Sequence, residues 1–166
     1  MPDAAPRAYS YQVVLFRPEH GPAFAALNRG WLVAAGLYEP PDEGHLADPQ
    51  GTILDIGGTI FVALRDDKVV GTAAITPHAP DEAELLKLAV AESERGRGLG
   101  RRLLNECIER ARAMGMRRLV LVSSTKLGPA LRLYESAGFV HHVVPASTPY
   151  ATADVYMELD LSASDT

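Results

Sequence analysis

An apolar stretch, LLKLAVA, runs through ESERGRGLG into RRLLNECIERAR, so a strand-like segment passes by alternate glycines into an amphipathic helix. Few local architectures satisfy that order. Leu99, Leu103, Leu104, Cys107, Ile108, Ala111 and Met114 recur at helical spacing, while Arg101, Arg102, Glu106, Glu109 and Arg110 face water. The helix therefore anchors whatever Gly96, Gly98 and Gly100 do. Glycines before a helix let a ligand approach the backbone without meeting a Cβ. The helix N-terminus itself offers unpaired N–H groups and about half a positive charge, a ready anion site.

The rest of the chain is built around this junction. YQVVLFR (Tyr11 to Arg17) reads as a strand, and Pro22 to Gly36 has apolar residues at helical spacing with a glycine stop. YEPPDEGHLADPQG reads as loop containing one short helix. TIFVALR and KVVGTAAIT, joined by Asp66-Asp67, read as a hairpin, and Ala83 to Val90 adds a third strand. After the glycine junction come the strand RRLVLVSS, the helix PALRLYESAG, and the strands FVHHVV and DVYMELDL. An antiparallel meander followed by strand, helix, strand, helix, strand, strand implies an α+β fold with helices packed on the faces of a mixed sheet.

At 166 residues and 47% hydrophobic content the chain suits one domain, residues 1–166. A net charge of −5 points away from nucleic acid and toward a neutral or cationic partner. The single Cys107 permits no internal disulfide. MPDAAPRAYS lacks the build of a signal peptide, and no apolar run has the roughly 20 residues that span a bilayer. A soluble, cytoplasmic protein without membrane contact is expected.

Two common phosphate loops can be eliminated. The dinucleotide pattern G-x-G-x-x-G from Gly96 requires glycine where Arg101 stands, and a P-loop requires G-K-[ST] where Gly100-Arg101-Arg102 stands. What remains is Arg95-x-x-Gly98-x-Gly100, followed downstream by ALRLYESAGF, Ala130 to Phe139. Together these resemble two motifs of the GNAT superfamily of acyl-CoA-dependent N-acetyltransferases, and the element order from Tyr11 to Leu161 is similar to the family's. One departure is Leu127, where many members carry asparagine seven residues before the tyrosine and use it on the pantetheine arm.

The resemblance implies a mostly antiparallel central sheet, helices on both faces and a splayed strand pair forming the acyl-CoA cleft. It implies that backbone amides of Gly96, Arg97, Gly98, Leu99, Gly100 and Arg101 cradle the pyrophosphate of acetyl-CoA. Arg95, Arg97, Arg101 and Arg102 become candidates for the nucleotide end, and main chain of the strand through Leu88, Ala89 and Val90 for the pantetheine arm. Tyr134 matches the tyrosine that protonates the departing thiolate in many members. Glu84, eleven residues before Arg95, matches the general-base position of some. No metal is implied: Cys107 lies on the apolar helix face, and His141-His142 have no spaced carboxylate partner.

Trp31, Tyr38, His45, His78 and Tyr150 come from segments that line the acceptor site in the family. The expected activity is transfer of acetyl from acetyl-CoA to a small amine by direct attack in a ternary complex. A protein or peptide amine, or a CoA-binding regulatory domain without turnover, are the alternatives, and a homodimer is compatible with the family.

Overall fold

In the computed structural model residues 10–162 are described. The expectation for a leader concerns residues 1–9, which lie outside the described residues. Seven strands form one sheet: β1 (Gln12–Leu15), β2 (Thr59–Arg65), β3 (Lys68–Ala79), β4 (Glu82–Val90), β5 (Arg118–Ser123), β6 (Val140–His142) and β7 (Val155–Asp160). Their spatial order is β1-β2-β3-β4-β5-β7-β6. Every neighbouring pair is antiparallel except β4 and β5. The helices are α1 (Gly21–Ala34), α2 (Pro40–Ala47), α3 (Leu99–Ala113) and α4 (Gly128–Ser136).

Alternation along the strands separates two cores, as the two-residue period of a strand requires. On β2, Phe61 and Ala63 join Leu103, Leu104, Cys107 and Tyr134 on the face covered by α3 and α4. Ile60 and Val62 join Phe24, Leu46 and Ile53 on the face covered by α1, α2 and the helical turn Gln50–Leu54. Helix α3 can approach β3 closely because Gly71 has no side chain there. A Cβ at that position would lie 2.9 Å from Leu103 Cδ1.

The short helix expected within the segment from Tyr38 to Gly51 is α2. Prolines 40 and 41 open α2, where the fixed φ of the ring is already helical and the missing N–H is not needed. A reciprocal cap holds that end: Asp42 Oδ2 accepts the Glu39 backbone N–H at 2.9 Å. Strand β3 runs to Ala79, past the expected end at Thr76, whereas β6 keeps only three of the residues of FVHHVV.

Two features shape the middle of the sheet. Strands β4 and β5 are paired only from Glu82↔Arg118 to Glu84↔Val120. Beyond Glu84 each keeps its antiparallel partner, β4 with β3 as far as Val90 and β5 with β7 as far as Ser123, so the two diverge. The second feature is a bulge in β4, where the register with β3 shifts between Thr72↔Ala89 and Ala74↔Leu86. Lys87 in the bulge has φ +55°, a left-handed conformation uncommon for a side-chain-bearing residue. Its carbonyl accepts the Thr72 hydroxyl at 2.7 Å, and Thr72 Oγ1 accepts the Nδ2–H of fully buried Asn28 at 3.0 Å.

Candidate active site

The divergence of β4 from β5 opens a cavity of about 680 Å³. One wall is β4 from Glu84 to Val90, and the facing wall is β5 from Leu121 to Ser123. One end is the glycine loop and the first turn of α3. The other is formed by α1, by α2, and by the segment between β6 and β7, through Trp31, Asp42 and Tyr150.

At the loop end Gly98 is the N-cap of α3 with φ +78°, and Gly96 has φ +78° as well. No side chain caps the helix, so its first N–H groups are left for another acceptor. A Cβ built on Gly96 or Gly98 meets nothing within 4 Å, which means that the space beside this backbone is open. Gly100 is different: it lies inside the first turn, and a Cβ there would make ordinary contact with Leu133 and Val90.

The arginines divide between cavity and scaffold. Arg95 and Arg101 border the cavity, Arg95 donating to the Val90 carbonyl at 3.2 Å and Arg101 to Ser136 Oγ at 2.7 Å. Arg97 instead turns to Glu94, 2.9 Å away, and to the Tyr11 hydroxyl, 3.1 Å away. Arg102 donates to the Tyr11 carbonyl at 2.9 Å. Glu94 has 4% of its side chain exposed and also accepts from Tyr11 and Arg65. The Tyr11 hydrogen bond, followed by the two arginines, holds its carboxyl below the ordinary range against the opposing effect of burial. The Glu94 cluster ties the glycine loop to the chain before β1 and to the end of β2. The motif did not reveal it, since Tyr11 and Glu94 are 83 residues apart.

Leu88, Ala89, Val90, Leu99 and both expected side chains, Glu84 and Tyr134, line the same cavity. Glu84 sits where β4 and β5 stop pairing, 23% exposed, with its Oε2 3.3 Å from His78 Nδ1 on β3. Burial raises its pKa, opposed by the positive charges of His78 and Lys87 and assisted by Glu82. Tyr134 is 7% exposed on α4, its ring 5.8 Å from that of Phe139. Burial first, then Cys107, raises the phenol and keeps it protonated. Burial also raises the Cys107 thiol, so it does not supply a thiolate.

The split parallel pair, the glycine-flanked helix start, the carboxyl and the phenol thus share one cavity. The model of the acetyltransferase (GNAT) family matches residues 26–139. This chain belongs to the GNAT acetyltransferase family. It is an acyl-CoA-dependent N-acetyltransferase.

Among its relatives, the uncharacterized N-acetyltransferase YjgM of Escherichia coli K12 is 33% identical over 132 residues, covering 74% of this chain and 78% of that protein. A GNAT acetyltransferase of Staphylococcus aureus Mu50 superposes with a TM-score of 0.84 at 17% identity, covering 92% of this chain and 99% of that one. The acetyltransferase yncA of Salmonella typhimurium, solved with its cofactor acetyl-CoA, gives 0.75 at 21% identity, covering 95% and 97%.

Leu127 stands at the N-cap of α4, where many GNAT members carry asparagine, and lines the cavity without a side-chain cap. The turn before it is pinned instead by Asp154, which accepts from the Thr125 N–H at 2.9 Å and hydroxyl at 2.8 Å. Trp31 and Tyr150 border the cavity, whereas Tyr38, His45 and His78 are not among its lining residues. Among the described residues no group of three or more His, Cys, Asp or Glu could hold a metal ion, and no helix is long and apolar enough to cross a membrane.

Proposed function

We propose that the protein acetylates a small-molecule amine by direct attack on acetyl-CoA, with Glu84 as general base and Tyr134 as general acid. The observation that carries this reading is the position of Glu84 at the last residue of β4 paired with β5, at the edge of the cavity that Tyr134 also lines. The Gly96–Arg101 backbone and the uncapped start of α3 hold the pyrophosphate, because open space and unpaired N–H groups coincide there. Arg95 and Arg101 serve the nucleotide end, and Leu88, Ala89 and Val90 offer main chain to the pantetheine arm.

Glu84 takes the proton released as the amine nitrogen bonds the acyl carbon, directly or through one water. Its raised pKa makes it a stronger base than an ordinary carboxylate, and His78 holds its orientation. Tyr134 gives its hydroxyl proton toward sulfur as the carbon–sulfur bond breaks. A buried, protonated phenol at the cavity wall suits that task better than an exposed one, whose proton would be shared with water. The bounded acceptor end, closed by two helices and a loop, favours a metabolite over a protein surface.

An acceptor screen tests the reading. Thiol release from acetyl-CoA is followed with amino acids, polyamines, aminoglycosides and peptides. The expected result is saturable turnover of one class of small amine. Turnover of peptides alone would move the assignment to a protein acetyltransferase, and binding of acetyl-CoA without turnover to a regulatory domain.

A further inference from the structure

The acceptor end of the cavity contains a buried cation. Lys87 has 5% of its side chain exposed, and its Nζ bonds Oδ1 of Asp42, which is 3% exposed. The other oxygen of Asp42 is occupied by the Glu39 N–H of the α2 cap. Both partners line the cavity. An ammonium carries three donors and no acceptor, and among the described residues only Asp42 receives one of them. The Tyr150 ring lies 6.0 Å from Nζ on another side. Asp42 thus pairs the charge of Lys87, while its remaining donors find no hydrogen-bond acceptor among the described residues, and an unmet buried donor is costly.

The backbone is arranged to put it there. The left-handed Lys87 sits in the bulge with its carbonyl held from behind by Thr72, which is in turn held by Asn28. The wall opposite Lys87 is fixed too. Glu39 at the start of α2 accepts from Ala151 N–H at 2.7 Å and Thr152 N–H at 3.2 Å, stitching α2 to the loop that carries Tyr150. A rigid, strained position holding an aimed cation is what a binding contact requires.

We propose that Lys87 is the anion-binding residue of the acceptor site, and that the acceptor is an amino-carboxylate, a small molecule carrying both an amine and a carboxylate. This rests on the cavity being the site of amine acetylation. Glu84 and Lys87 stand three residues apart on β4 with opposite charges. A zwitterion directed with its amine to Glu84 offers its carboxylate oxygens to the Lys87 donors that Asp42 leaves over. A polyamine would bring a second cation toward Lys87, and also toward the exposed Lys126 at the same cavity, which disfavours it.

The test is thiol release at saturating acetyl-CoA with matched sets of acceptors: an amino acid, its carboxamide, and the amine lacking the carboxyl group. Wild type should prefer the amino acid by at least about tenfold in kcat/KM over either neutral-ended analogue. The double variant Lys87→Met/Asp42→Asn, which removes both buried charges together, should lower that ratio to about one with the acetyl-CoA Kd unchanged. On wild type alone, the des-amino carboxylic acid should compete with the acceptor, and its amide should not. Equal turnover of amino acid and analogues by wild type, or a ratio that survives in a folded variant, would overturn the role of Lys87 while leaving amine acetylation in place. Absence of thiol release with every amine would instead remove the acetylation reading and this inference with it.

Discussion

Glu84 is where activity and stability make opposite demands. Its folded pKa is raised, so the folded chain binds that proton more tightly than the unfolded one. The stability it contributes is present below the unfolded value, about 4.3, and lost as pH rises through the folded value. Glu84→Gln, which mimics the protonated form, should therefore melt higher than wild type near pH 7 and lose that advantage under acid. Its activity should move the other way. A lysine-like amine costs about 4.6 kcal/mol to deprotonate at pH 7 and an α-amino group about 1, so the variant should be slow at neutral pH and recover as rising pH deprotonates the amine in solution. Parallel kcat/KM profiles from pH 6 to 10 would remove Glu84 from the mechanism. Tyr134→Phe separates a second role from packing: the ring stays against Phe139, but the proton is gone. Its kcat should fall by ~10²–10⁴ with little change in the Kd for acetyl-CoA or in Tm. Wild-type turnover with chemistry rate-limiting would return Tyr134 to the core.

Among the elements, the glycine-to-helix junction is the one proposed to hold the cofactor. Gly98→Val should weaken acetyl-CoA binding by more than it lowers stability. Its Cβ meets no protein atom, so the fold suffers only from forcing a β-branched residue to φ +78°, while the space beside the helix start is lost to a phosphate. Calorimetry against a melting curve checks this, and unchanged affinity would contradict the pyrophosphate assignment. The junction was legible in the sequence because glycine spacing and helical periodicity are local, whereas Tyr134 stood out only through the resemblance of ALRLYESAGF to a family motif. Helix α2 was harder to read: two prolines and Gly44 resemble a loop, although Pro40 at the first turn and the Glu39/Asp42 cap are start signals. The bulge at Lys87 left no mark at all, since LLKLAVA reads as an unbroken strand. Asp42 and Lys87 are 45 residues apart, and only the fold brings them together with Tyr150. Arg97, grouped with the nucleotide-facing arginines by motif, lies against Glu94 because the loop curls back on itself.

For the molecule as a whole, the sheet is two antiparallel halves joined by a short parallel seam, β4 to β5, and the cavity is what remains where the seam ends. One core spans both halves on the α3 and α4 face, and the pairs β3–β4 and β5–β7 continue past the seam, so the opening does not cost the ladders beside it. In the proposed reaction donor and acceptor share this cleft and meet beside Glu84 and Tyr134. Direct transfer demands that both be bound together, and Cys107, buried in α3 with its thiol pKa raised, offers no covalent alternative. Initial rates measured over a grid of acetyl-CoA and acceptor concentrations test this most directly. Direct transfer predicts double-reciprocal lines that intersect, with no acetyl-protein seen by intact mass in the absence of acceptor. Parallel lines with a stoichiometric acetylated protein would contradict it.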